Sequence, residues 1–159
     1  MKRKVSNLLM LTLALTSVLM TAIIVNAKPL YGYMALERGG PIHPDYGPPG
    51  WSGPITGDIE GYMYFFNTGN KDGGQAHHFW EIWLITDGDG DEYGETLLKG
   101  TDNGVVTWKN DKYRMNGIVE EAYGDYADLL GRNVHMSGII TFDPDTGAPL
   151  TAPGTFRVN

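Results

Sequence analysis

The sequence predicts an all-β domain, a single antiparallel meander β-barrel of about seven or eight strands with one short helical turn, set after an N-terminal signal segment. Three observations carry this. From residue 55 onward, runs rich in β-branched and aromatic residues alternate with clusters of Gly, Asp and Asn. No stretch there sustains a helical period of apolar residues beyond a turn or two. The runs are joined by short turns, which makes neighbours antiparallel, and closing such a sheet into a barrel removes its exposed edges.

The chain opens on Lys2, Arg3 and Lys4, continues as an uncharged run from Leu8 to Val25, and reaches small residues at Val25-Asn26-Ala27. A charged start, an apolar core and a small-residue cleavage site read as an export signal over residues 1–27. The rest is then expected to be secreted or extracytoplasmic. As a helix, Leu8–Val25 would span about 27 Å, enough to anchor the chain in a membrane if it stayed uncut. Thr12, Thr16, Ser17 and Thr21 dilute that run, so cleavage, with no stable membrane insertion afterwards, is the expectation. There are no cysteines, which excludes disulfides and a lipid-modified cysteine.

Residues 28–159 suit one domain, long enough to bury about two thirds of its unfolded surface. Nine basic residues remain against 19 acidic ones, a net charge of −10. Nucleic acid and anionic membrane surfaces would be repelled by it, and neither is expected as a partner.

Residues 28–54 are punctuated by Gly39-Gly40-Pro41, Pro44, Gly47-Pro48-Pro49-Gly50 and Pro54, and read as an N-terminal arm. Its aromatics, Tyr31, Tyr33, Tyr46 and Trp51, are expected to pack on the domain rather than on a neighbour. The barrel is then expected over 55–159, with strands near Ile55–Phe66, His77–Thr86, Glu95–Thr101, Gly104–Lys109, Lys112–Ala122, Val134–Phe142 and Gly154–Val158. Hairpin signals lie at Asn67 to Gly74, Asp87 to Gly90, Asp102-Asn103-Gly104 and Asn110-Asp111.

The helical turn is expected at Tyr126 to Leu130, between Gly124 and Gly131. Tyr126 and Leu129 are one helical turn apart and so face the same way, into the base of a barrel. With Gly117 before it and Gly138 after it, this stretch resembles the glycine, aromatic, leucine, glycine turn of small secreted barrels of the allene oxide cyclase and dirigent type, a calycin-like architecture. The resemblance covers residues 112 to 142 and implies an eight-stranded or similar barrel whose interior could hold a ligand. None of the catalytic residues of those families matches a position here.

Alternation along the strands suggests what that interior contains. His77, Phe79, Glu81, Trp83 and Ile85 share one face, and His78, Trp80, Ile82 and Leu84 share the other. Both faces are largely apolar, so the strand is expected to be covered on both sides, by core within and by the arm or another subunit without. On the preceding run, Ile55, Gly57, Ile59, Gly61, Met63 and Phe65 look inward, and their glycines leave room near the axis. Met63, Phe65, His77, Phe79, Trp80, Glu81 and Trp83 are therefore the candidate ligand-binding residues, for an apolar or aromatic small molecule.

Asp87, Asp89, Asp91, Glu92 and Glu95 form a second constellation, in which carboxylates at alternate positions of a glycine-rich loop could converge on Ca2+. Asp87, Asp89 and Asp91 match the start of an EF-hand loop, but Glu92 stands at its glycine and Leu98 at its closing glutamate. The same residues also suit an ordinary solvated turn. His77 and His78 point to opposite faces and cannot chelate one ion together. With no G-x-S-x-G elbow and no phosphate-binding glycine loop, the sequence argues against an enzyme and against a nucleotide cofactor. Three functions remain: a secreted binding module, a surface protein that self-associates and is stabilised by calcium, and a cyclase-like or isomerase-like barrel.

Overall fold

The computed structural model describes residues 28–159, and the signal segment expected over 1–27 lies outside the described residues. In chain order the strands are β1 (Leu30–Met34), β2 (Glu37–Arg38), β3 (Trp51–Gly57), β4 (Gly61–Asp72), β5 (Ala76–Thr86), β6 (Thr96–Thr107), β7 (Lys112–Ala122), β8 (Asn133–Ile139), β9 (Thr141–Phe142), β10 (Pro149–Thr151) and β11 (Gly154–Val158). A 3-10 turn, Gly124–Leu129, joins β7 to β8. Eight of the strands close an antiparallel barrel in the order β1, β3, β4, β5, β6, β7, β8, β11 and back to β1. The short β2, β9 and β10 extend the wall beside β3 at one end.

The segment expected as an arm supplies one of the eight staves, β1, and residues 51–54 of another, β3, which continues into the strand expected from Ile55. Proline and glycine hide them in the sequence. Pro54 lies inside β3, but at the gap where the neighbour changes from β2, opposite Trp51 and Ser52, to β1, opposite Ile55 to Gly57. Its carbonyl accepts from Ala35 N–H at 3.0 Å, and the missing proline N–H falls in that gap. Of the arm's aromatics, Trp51 and Tyr46 pack on the domain, whereas Tyr31 and Tyr33 alternate outward along β1 and are 46% and 67% exposed.

Four boundaries also differ from expectation, and one is the run Val134–Phe142, which breaks at Ile140 into β8 and β9. The run Ile55–Phe66 breaks at residues 58–60 into β3 and β4, because Gly57 and Gly61 both take positive φ there. The hairpin expected at Asn67 to Gly74 shrinks to its last residues, as β4 runs on to Asp72 through a bulge between Asn67 and Gly69. Asp102-Asn103-Gly104 is no turn at all. It lies in mid-β6, paired to β5 on one side and β7 on the other, so the two strands expected around it are one.

The expected faces hold. Met63, Phe65, Trp83 and Ile85 point inward and join Leu98, Val119, Val134, Phe156 and Val158 in one fully buried core. Beside them, β6 carries glycine where the facing strand carries an aromatic ring: a Cβ on Gly100 would stand 2.4 Å from Trp83, and one on Gly104 would stand 2.2 Å from Phe79. Leu129 is buried at the base of this core, and Tyr126 packs partly against it, so the 3-10 turn plugs that end.

Outside the wall lies a second, smaller core of Tyr64, Phe66 and Leu84. Tyr46 and Tyr93 cover it, with the His43 ring 4.7 Å from each. The Tyr93 hydroxyl donates to the carbonyl of Pro41. Residues 41–47 and the Asp87–Glu95 loop thus meet on the outer wall, which explains why both faces of β5 are apolar.

Candidate functional site

The end of the barrel opposite the 3-10 plug holds a cavity of about 210 Å³. Strand direction places it there, because its wall uses the start of β3 and β5, the end of β6 and the start of β7. Aromatic side chains dominate the lining: Trp51, Phe65, Phe79, Trp108, Tyr113 and Phe142. Val106, Met115 and Ile140 fill the spaces between them, and Arg38, Asn67, His77 and Glu81 supply the polar groups.

Arg38 and His77 have partners, as does the hydroxyl of Tyr113. The guanidinium of Arg38 lies 5.3 Å from the Trp51 ring centroid, and its Nη1 donates to the Gly50 carbonyl at 3.4 Å. His77 Nδ1 meets the Asp72 carboxylate at 2.5 Å, while its ring lies 6.2 Å from Phe79 and 6.0 Å from Trp108. The Tyr113 hydroxyl donates to the Ala152 carbonyl at 3.1 Å. Tyr113 sits over Gly138 and Gly154, where a Cβ would stand within 2.5 Å of its hydroxyl oxygen.

Glu81 differs. Its side chain is 6% exposed, lines the cavity and makes no hydrogen bond with the described residues. Directly across the β5–β6 pair stands Asp102, also 6% exposed, and neither of its carboxylate oxygens meets a donor among the described residues. Burial pushes the Glu81 carboxyl up to about 8, the Asp102 charge adds to the rise, and Arg38 opposes it. Burial pushes Asp102 up to about 7. Two adjacent acids are thus held in a wall that disfavours their charge.

Among the residues singled out from the sequence, Phe65, His77, Phe79 and Glu81 meet at this cavity. Met63 and Trp83 lie in the packed core, with Trp83 edge-on to Phe156 at 5.6 Å. Trp80 is on the outer wall, 45% exposed, in a shallow groove with Ile82, Asn103 and Ile118. Strand parity settles this, since Trp80 lies between two inward residues. Arg38, Trp51, Trp108, Tyr113 and Asp102 were not anticipated from the sequence. Parity would have found Asp102 had β6 been read as continuous, because Leu98, Gly100, Asp102, Gly104 and Val106 occupy one face.

The acidic loop lies at the plugged end, away from the cavity. Asp87 Oδ1 accepts from Glu95 N–H at 2.6 Å, and Asp89 Oδ1 from Asp91 N–H at 3.1 Å and Glu92 N–H at 3.4 Å. These carboxylates close the turn. Among the described residues, no group of three or more His, Cys, Asp or Glu is placed to hold a metal ion.

No family model, curated protein or solved structure matches this chain. What the site can do therefore follows from its own side chains. It can enclose a small, flat, largely apolar molecule and offer it one carboxyl edge.

Proposed function

We propose that this protein is a small-barrel binding module that takes an apolar or aromatic small molecule into the open end of the barrel, and that it does so outside the cytoplasm after loss of residues 1–27. The aromatic-walled cavity of about 210 Å³ carries this reading. Ligand sites are typically concave, mostly apolar and furnished with a few placed polar groups. A dry apolar cavity of about 150 Å³ is already enough to admit benzene. The 3-10 plug closes the far end, so a guest enters and leaves by one mouth.

A thermal-shift panel of small monocyclic and bicyclic aromatics tests it. At least one member is expected to raise Tm in proportion to the logarithm of its concentration, as binding to the folded state requires. Val106→Phe, which fills the cavity from its wall, should abolish the rise. A flat Tm across the panel refutes the proposal. Export is tested separately by N-terminal sequencing of protein recovered from the medium, with Lys28 expected as the first residue; an intact Met1 refutes cleavage.

A further inference from the structure

Glu81 in the cavity wall, with Asp102 beside it on β6, narrows the chemistry of the guest, and this inference rests on the binding role proposed above. Glu81 and Asp102 are direct cross-strand partners, which puts their Cβ atoms about 4.5–5.5 Å apart. Both are more than nine-tenths buried, Glu81 faces the cavity, and neither carboxyl hydrogen-bonds a described residue. The Asp102 oxygens are fully buried without a partner, which is costly in an apolar interior, while Glu81 lines the cavity where a guest's donor could reach it.

Among the described residues no donor around the cavity bonds Glu81: Asn67, opposite it on β4, lines the cavity without meeting its carboxyl, and three others are engaged elsewhere. Arg38 of β2 stacks on Trp51 and bonds Gly50, His77 of β5 faces Asp72, and Tyr113 of β7 bonds Ala152. Asp102 of β6 can only add negative charge beside Glu81 or share a proton with it. An anionic guest would meet that charge, and a neutral guest offering no donor would leave both acids unsatisfied. An ammonium group offers three donors and no acceptor, the complement of an ionised carboxylate, and its charge favours that form of Glu81. The surrounding walls of Trp51, Phe65, Phe79 and Trp108 suit both the aromatic body of such a guest and, through their ring faces, its charge.

We propose that the cavity is a site for a small aromatic amine bound as its cation, with the ammonium on Glu81, Asp102 behind it and the ring among the cavity aromatics. The guest is a primary amine on one aromatic ring, in keeping with a cavity of about 210 Å³.

Calorimetric titration of the purified protein at about pH 8 with 2-phenylethylamine, 2-phenylethanol and phenylacetate tests this, the three being close in shape and different in charge. The amine should bind at least about tenfold more tightly than the alcohol, as a charge-assisted hydrogen bond implies, and phenylacetate should give no heat. Glu81→Gln and Asp102→Asn, each checked for an unchanged circular dichroism spectrum, should each reduce the preference for the amine. Equal affinity for amine and alcohol overturns the charge proposal and leaves the binding module standing. Absence of binding by all three, together with a flat Tm panel, overturns both.

Discussion

At Glu81 and Asp102 burial moves the carboxyls up to about 8 and about 7, whereas in an unfolded chain they titrate near 4. Between those limits the folded state holds more protons than the unfolded one, so stability falls as pH rises through the window and levels off above it. This is the reverse of acid denaturation. Glu121, held down by Lys99 at 2.5 Å, and Asp143, held down by the backbone N–H groups of Asp145 and Thr146, act with the opposite sign, but below the usual carboxylate range. The two windows therefore separate. Differential scanning calorimetry should show Tm falling from about pH 5 to about pH 8, with Glu81→Gln flattening the fall and more stable than the parent at the upper end. A Tm that rises across that range in the parent would show that the pair is not desolvated as described. Gly104 gives a second residue-scale outcome. A Cβ there would stand 2.2 Å from the Phe79 ring, so Gly104→Ala should destabilise by about 1–3 kcal/mol in urea melts and push the ring into the cavity.

Among the elements, the seam where β1 meets β3 is the shortest pairing in the barrel wall, three residue pairs from Gly32 opposite Gly57 to Met34 opposite Ile55. Asp58 clamps its end: its carboxylate accepts from Tyr31 N–H at 3.0 Å while its own N–H donates to the Tyr31 carbonyl at 2.8 Å. Gly57 makes the approach possible, with φ at 128° and no Cβ to strike the Tyr31 carbonyl, which would lie 2.7 Å away. Gly57→Ala should therefore cost about 1–3 kcal/mol and Asp58→Ala about 1 kcal/mol, with faster hydrogen exchange at β1 in both. Unchanged exchange at Tyr31 would mean that the clamp does not hold the seam. These elements also show what can be read from the chain. The faces of β4 and β5 were legible because long strands with large side chains on both sides make parity visible. β1 and β3 were not, since β1 is five residues long with Gly32 at its centre, and β3 contains Gly53 and Pro54. The turn chemistry of Asp102-Asn103-Gly104 pointed to a hairpin, and pairing on both sides overrode it. The carboxyl pair was lost with that strand, because only a continuous β6 places Asp102 opposite Glu81.

For the whole molecule, closure divides the barrel into two ends with separate duties. Leu129 and Tyr126 fill the plugged end of the main core, and the cavity occupies the other end. Between them lies a layer of Met63, Trp83, Val134 and Phe156, fully buried and packed without regard to any guest. Residues more than about 7–10 Å apart with no shared partner act additively. Leu129→Ala should then lower stability by about 2–5 kcal/mol, the range for a leucine lost from a core, and leave affinity at the open end unchanged. Val106→Phe should do the opposite, removing binding at little cost in stability. Urea melts and calorimetric titration of the two variants, alone and combined, provide the check. If Leu129→Ala weakens binding as much as it weakens the fold, the middle layer transmits what happens at the plug, and the barrel acts as one continuous core whose cavity depends on its base.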